Sequence, residues 1–66
     1  MKVIVNGFEE HIAPGINLAT LIREMREQGH GLIVEVNGRF VYPGDYEKYE
    51  VKPGDKIEMI HPGFGG

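Results

Sequence analysis

The chain has 66 residues, a formal net charge of −3 and no cysteine. A chain of this length forms one domain with a small core, and without thiols it has no disulfide, no cysteine nucleophile and no thiolate metal ligand. Its acidic balance argues against nucleic-acid binding, which needs a basic face. No apolar run approaches the ~20 residues of a membrane span, and the N-terminus lacks a signal-peptide pattern. We therefore expect a cytoplasmic protein that binds neither nucleic acid nor a membrane.

The first predicted element is a β-hairpin. Residues 2–5 form a short β-branched run, and residues 8–12 form a second strand-like run. Asn6-Gly7 lies between them, and these two residue types best tolerate the positive φ angles that a type I′ turn needs. The sequence therefore predicts two antiparallel strands joined by a two-residue turn.

An amphipathic helix is predicted after the break at Pro14-Gly15. We expect Asn17 to cap it, because the side-chain oxygen can accept a hydrogen bond from a free backbone N–H of the first turn. The apolar stripe of the helix consists of Leu18, Leu21, Ile22 and Met25, which recur at helical spacing. Gly29 is expected to end the helix in a left-handed conformation.

The second half of the chain predicts three more strands. Residues 32–36 and 39–42 flank a second Asn-Gly pair, Asn37-Gly38, and so predict another hairpin. Residues 45–50 form a charged connection, in which we expect one 3₁₀ or helical turn. Residues 56–60 are the last predicted strand.

This order of elements predicts an α+β fold. A single helix with one apolar stripe covers one face of one sheet, and the first and last strands, apolar on both sides, are expected at its centre. The arrangement is a β-grasp (ubiquitin-like) fold, a mixed sheet of four to five strands covered by one main helix. We expect this domain to comprise residues 1–61, followed by a flexible C-terminal tail at residues 62–66.

Alternation along the strands separates the two faces of the sheet. The side that meets the helix is expected to carry Val3, Val5, Leu32, Val34, Val36, Ile57 and Met59. The opposite side is expected to carry Ile4, Ile33 and Ile60, together with Lys2, Glu35 and Glu58. Because a contiguous apolar set that faces solvent often marks a docking surface, the three isoleucines are a candidate docking patch. The alternative is that they only stabilise the sheet through their β propensity.

The sequence shows no side-chain constellation of an enzyme. The histidines, His11, His30 and His61, match no metal-ligand spacing and have no paired nucleophile, so we expect them at the surface. The glycines occur in turns and at the end, never as the glycine-rich loop that cradles a phosphate. We therefore expect no catalytic site, no metal site and no bound cofactor.

The last residues, 62–66, are suited to present a terminal carboxylate to another protein. Pro62 favours an extended path, and the four residues beyond it can reach about 13 Å at ~3.3 Å each. Glycine at the tip has no Cβ, so a partner can approach the terminal carbonyl closely. Adenylation by ATP would turn the Gly66 carboxylate into an acyl donor. The alternative is an idle tail that ends in Gly-Gly by chance.

Several short motifs occur in a characteristic order along the chain. They are Asn6-Gly7, Pro14-Gly15 before Leu18-Ala19-Thr20-Leu21-Ile22, Val36-Asn37-Gly38, Val41-Tyr42-Pro43 followed by Tyr46, Gly54-Asp55-Lys56-Ile57, and Gly65-Gly66 at the end. Each motif alone is weak, since β-grasp domains share such turns. In this order the whole chain resembles the ubiquitin-like sulfur carrier proteins, closest to the carrier of thiamine biosynthesis (ThiS-type).

The resemblance implies a carrier and not an enzyme. An E1-like (ThiF-type) enzyme would adenylate Gly66 with ATP and magnesium, and sulfur from a persulfide donor would displace AMP to leave a thiocarboxylate. Thiazole synthase (ThiG-type) would take that sulfur in thiamine biosynthesis. The residues expected to enter the partners' active sites are Pro62, Gly63, Phe64 and Gly65, and those expected to dock the activating enzyme are Ile4, Ile33 and Ile60. The free carrier is expected to be monomeric.

Three alternatives stay open at this point. The His61-Pro62 step is similar to that of the small subunit of molybdopterin synthase, so the acceptor could belong to the molybdopterin or another thiocarboxylate pathway. A ubiquitin-like protein modifier, conjugated to lysines through Gly66, would share the adenylation step. A β-grasp binding module without covalent chemistry would not need the Gly-Gly end.

Overall fold

The computed structural model describes residues 1–27 and 29–62, which form one mixed sheet covered by a helix. The elements are β1 (Lys2–Val5), β2 (Phe8–His11), α1 (Leu18–Glu24), β3 (Ile33–Val36), β4 (Arg39–Val41), a 3₁₀ turn (Pro43–Asp45) and β5 (Lys56–Ile60). The strand order is β2-β1-β5-β3-β4. β1 and β5 are parallel, and the other neighbouring strands are antiparallel. The predicted mixed sheet, with the first and last strands side by side, is confirmed.

Two Asn-Gly turns close the hairpins as predicted. Asn6 and Asn37 have φ angles of 50° and 54°, and the glycines that follow them have φ angles of 85° and 81°. Each asparagine also holds β5, because its Oδ1 accepts a hydrogen bond from a backbone N–H: that of Met59 at 2.8 Å for Asn6, and that of Lys56 at 2.9 Å for Asn37. The turns therefore fix both hairpins against the central strand.

Helix α1 begins where the sequence predicts. Oδ1 of Asn17 accepts a hydrogen bond from the backbone N–H of Thr20 at 2.8 Å, so the predicted cap is confirmed. Nδ2 of the same side chain donates to the carbonyl of Glu47 at 3.2 Å. One asparagine thus starts the helix and joins it to the connection before β5.

The end of α1 differs from the prediction. The left-handed residue after the helix is Arg26, with a φ of 58°. Its N–H donates to the carbonyl of Arg23, and the N–H of Glu27 donates to that of Ile22, both at 3.1 Å. This pattern is a Schellman motif with an arginine where glycine is usual. The prediction that the helix ends at Gly29 is wrong. Positions 28 and 29 add no apolar residue to the stripe, so a longer helix would bury no further core side chain.

The core lies between α1 and the sheet. Its buried side chains include Val3, Val5, Val34, Val36, Ile57 and Met59 of the sheet and Leu18, Leu21 and Ile22 of the helix, all predicted. Met25 and Leu32 are only partly buried against this core. Val41 and Val51 complete it, although the sequence did not assign them. Val51 was missed because it lies in a connection, where no periodicity marks the buried positions.

Candidate functional site

The candidate site begins where β5 leaves the sheet. β5 lies between β1 and β3, so the strand that leads to the tail is bonded on both sides. It is followed by His61, which is exposed, and Pro62, which is partly buried. We call these two residues the tail root. The other predicted tail residues, Gly63, Phe64, Gly65 and Gly66, lie outside the described residues.

A side-chain contact ties the tail root to the end of α1. Nε2 of His61 lies 2.5 Å from Oε2 of Glu27, and 48% and 31% of the two side chains is exposed. The Schellman turn holds the backbone of Glu27 through its bond to Ile22. Sequence reasoning missed the contact because the two residues are 34 positions apart and no shared pattern links them. His61 is nevertheless at the surface, as predicted.

The side of the sheet opposite α1, here the open face, carries the candidate docking patch. The strand register places Ile33 of β3 directly opposite Ile60 of β5. Ile4 of β1 lies instead opposite Lys56, roughly 13 Å along β5 from Ile60. The side chain of Ile60 is 39% exposed, and the other two isoleucines are partly buried. The structure therefore brings two of the three isoleucines together and leaves Ile4 apart.

Two aromatic side chains extend this patch. Phe40 lies directly opposite Glu35 in the β3–β4 pair and is 49% exposed, and Tyr42 is 67% exposed. The two rings meet edge to face with their centres 4.7 Å apart. Sequence reasoning missed both residues, although the turn at Asn37-Gly38 sets the register that places Phe40 on the open face.

Two carboxylates lie at the centre of the open face. Glu35 of β3 is paired directly with Glu58 of β5. The ion pairs within the part of the chain that the structure describes are Lys2–Glu9, Lys52–Glu50 and His61–Glu27. Neither Glu35 nor Glu58 therefore has a described cation within ion-pair distance. The row across β4, β3 and β5 thus places the ring of Phe40 beside Glu35, and Glu35 beside the like charge of Glu58.

The described residues also form two open grooves. One, of about 390 Å³, runs beside β4 and includes Phe40, Val41 and Tyr49; the other, of about 440 Å³, includes His30 and Tyr46. The Tyr46 hydroxyl is buried without a hydrogen-bond partner among residues 1–27 and 29–62, and burial raises the pKa of Tyr46. Neither groove is lined by a serine, threonine or cysteine nucleophile, and the described residues contain no cluster of three metal-ligating side chains.

Comparison with known proteins assigns the chain to a family. The model of the ThiS family matches residues 3–66, which include every strand from Val3 onward, the helix and the predicted tail. The chain belongs to the ThiS family. The predicted ThiS-type sulfur carrier is thereby confirmed. In the described part of this ThiS-family chain, no helix is long and apolar enough to cross a membrane.

Two solved structures share the fold of this ThiS-family chain. The crystal structure of the thiamine biosynthesis protein (ThiS) from Geobacter metallireducens is 28% identical over 100% of both chains, with a TM-score of 0.86. The solution structure of a thiamine biosynthesis protein from the same organism is 26% identical and covers 100% of this chain and 88% of that one, with a TM-score of 0.81. No curated protein matches the chain. The predicted β-grasp fold is confirmed.

Proposed function

We propose that the chain is the sulfur carrier of thiamine biosynthesis and that it carries sulfur on the carbonyl of Gly66. The observation that supports this proposal most strongly is the match to the ThiS family, which extends through Gly65 and Gly66. The position of β5 also supports it. β5 is paired with β3 as far as Ile60, and on its other side with β1 at Lys56 and Ile57 and with the Asn6 side chain at Met59, which gives the tail root a fixed origin from which the same carboxylate can be offered to successive enzymes.

The proposed reaction starts on an E1-like (ThiF-type) enzyme, which supplies ATP and magnesium. The Gly66 carboxylate attacks the α-phosphate, so that an acyl adenylate forms and pyrophosphate leaves. The terminal sulfur of a persulfide donor then attacks the acyl carbon and displaces AMP. A second thiol then attacks the donor's sulfur in the resulting acyl disulfide, so that a disulfide between donor and second thiol forms and the thiocarboxylate leaves. Thiazole synthase (ThiG-type) takes the sulfur from that thiocarboxylate.

In this proposal the chain contributes a reactive end and a docking surface, whereas its partners contribute the catalysis. The tail residues proposed to enter the partners' active sites are Pro62, Gly63, Phe64 and Gly65. Glycine suits this use because it lets a partner's backbone and a nucleotide approach the acyl carbon. The sulfur is held on the carbonyl of Gly66, so the absence of cysteine from the chain does not conflict with the function.

We propose the open face as the surface that docks the activating enzyme. Ile33 and Ile60 form its apolar part because they are directly paired at one end of the β3–β5 ladder, whereas Ile4 lies apart from them, opposite Lys56. Exposed apolar side chains grouped on one face are typical of docking surfaces. Replacement of Ile60 by Ser should raise the KM for the carrier in adenylation and leave the fold intact, because Ile60 lies outside the core.

Intact-mass spectrometry tests the proposed chemistry. The chain is incubated with a ThiF-type enzyme, Mg-ATP and a persulfide donor, and we expect a mass gain equal to the replacement of one oxygen by sulfur. A chain that lacks Gly66 should keep its circular dichroism spectrum and show no gain. If the full chain stays folded and gains no mass with any ThiF-type enzyme offered, the proposal is refuted.

The acceptor is tested with the thiocarboxylate form of the chain. We expect sulfur to pass to thiazole synthase and not to the large subunit of molybdopterin synthase. Transfer to the latter alone would assign the chain to the molybdopterin pathway. Formation of an amide bond to lysines of other proteins would instead identify a protein modifier.

A further inference from the structure

The arrangement of charged side chains on the open face favours a complex with a partner over the free chain. Glu35 and Glu58 lie directly opposite each other on neighbouring strands. Cross-strand partners have Cβ atoms about 4.5–5.5 Å apart, and like charges on side chains directly opposite each other destabilise a sheet. Lys56 lies on the same face two residues before Glu58, yet it forms no ion pair with either carboxylate. The free chain therefore carries a repulsion that a cation between the two carboxylates would remove.

Apolar side chains surround this carboxylate pair on two sides. In the row across the strands, Phe40 lies beside Glu35, which lies beside Glu58. In the next row, Ile33 lies beside Ile60, and the ring of Tyr42 contacts that of Phe40. A partner that covers this surface excludes water from the carboxylates, and a charge without a partner is costly to bury. Docking on the open face thus requires a complementary positive charge at its centre.

We propose that the open face binds a protein surface on which one arginine is surrounded by apolar side chains, and that this arginine pairs with both Glu35 and Glu58. The inference rests on the proposed function, in which that protein is the adenylating enzyme. It specifies the chemistry of the enzyme's docking surface. The net charge of −3 favours the same encounter through long-range attraction.

An arginine fits this site better than a lysine for two reasons. Its planar guanidinium presents five N–H donors and can bond two carboxylates at once, whereas an ammonium acts as a point charge. The guanidinium also stacks favourably on aromatic rings, and Phe40 is the direct neighbour of Glu35. One arginine can therefore bond the carboxylate of Glu35 and stack on the neighbouring ring of Phe40.

The test uses two single variants and a matched control. Glu35→Gln and Glu58→Gln each remove one charge from the pair, and Glu24→Gln removes the same charge from the exposed side of α1. Affinity for a ThiF-type enzyme that adenylates the wild-type chain is measured by titration calorimetry at two salt concentrations. We expect Kd to rise at least about 30-fold for either pair variant and to stay within about 2-fold for the control. Kd should also depend less on salt in the pair variants.

The stability of the free variants should change in the opposite direction to their affinity for the enzyme. A merely structural role of the two glutamates would not produce this combination. Because each pair variant relieves the cross-strand repulsion, its melting temperature should equal or exceed that of the wild type while its affinity falls. Arginine modification of the enzyme by phenylglyoxal should block docking. Bound wild-type carrier should protect one arginine, and the Glu58→Gln carrier should not.

The outcomes separate this inference from the proposed function. If the wild-type chain acquires the thiocarboxylate but both pair variants bind the enzyme as tightly as wild type, the arginine site is refuted and the carrier function stands. Protection of a lysine in place of an arginine would also overturn the inference. If no ThiF-type enzyme modifies the wild-type chain, the function itself fails first.

Discussion

Replacement of Arg26 by Gly should stabilise the protein. Arg26 has a φ of 58°, a left-handed conformation that costs a residue with a Cβ about 1–2 kcal/mol. Glycine avoids this strain, but its freer backbone in the unfolded chain offsets about 0.4–1 kcal/mol of the gain. The Schellman bonds use only backbone atoms, so they survive the substitution. The net expected stabilisation is about 0.5–1 kcal/mol, which raises the melting temperature of a domain of this size by about 2–8 °C.

Urea denaturation followed by circular dichroism measures this change, and two further variants interpret it. Arg26→Ala keeps the Cβ and removes the charge, so it should leave the midpoint nearly unchanged. Arg23→Gly places glycine inside the helix, where it should destabilise by about 1 kcal/mol. Equal stabilisation by Arg26→Ala and Arg26→Gly would show that the arginine side chain, and not the backbone, is responsible. A loss of stability in Arg26→Gly would refute the left-handed assignment itself.

Substitutions at three further positions test how the framework is held together. Asn17→Ala removes the helix cap and should cost about 1 kcal/mol in urea denaturation, whereas Asn17→Ser should retain most of the stability. Asp55→Ala should cost about 1–3 kcal/mol, because Asp55 is buried and accepts bonds from Nδ2 of Asn37 and the N–H of Lys52; an unchanged midpoint would contradict this. Tyr46→Phe removes a buried hydroxyl that has no described partner and should be neutral or stabilising at pH 7. Burial raises the pKa of Tyr46 above its ordinary 10.0, so the folded state holds the hydroxyl proton more tightly than the unfolded state. The stability of the wild type should therefore fall as pH rises above 10, and it should fall more steeply than the stability of Tyr46→Phe.

Local signals in the sequence predicted most of the fold. The two Asn-Gly pairs, the cap at Asn17 and the apolar stripe of α1 each depend on residues within a few positions of one another, and all of them are confirmed. The end of α1 was not predictable in the same way. It depends on where the apolar stripe of the helix no longer contacts the core. At that point Arg26 adopts the left-handed conformation, although Gly29 lies only three positions further on.

The candidate site was less predictable because its members come from distant parts of the chain. Alternation correctly separated the two faces of β1, β3 and β5, but only the register shows that Ile33 meets Ile60 while Ile4 meets Lys56. The contact of His61 with Glu27 joins positions 34 residues apart and has no sequence signature. Strand register and long-range contacts thus determine which side chains meet at the candidate site, and composition and periodicity alone do not reveal either.

The chemistry proposed for Gly66 explains why the last strand lies inside the sheet and not at its edge. In the proposed function, the carrier presents one carboxylate first to an adenylating site and then to a sulfur acceptor, and a fixed origin of the tail suits both complexes. β5 is bonded to β1 and β3, and the side chains of Asn6 and Asn37 hold its backbone from both hairpins. A strand at the sheet edge would have neighbours on one side only and would separate more easily from the sheet. The open face is built on the same strand, through Glu58 and Ile60. In the proposed function, docking and delivery are therefore coupled through one strand, because a partner bound to the open face would also fix where the tail begins.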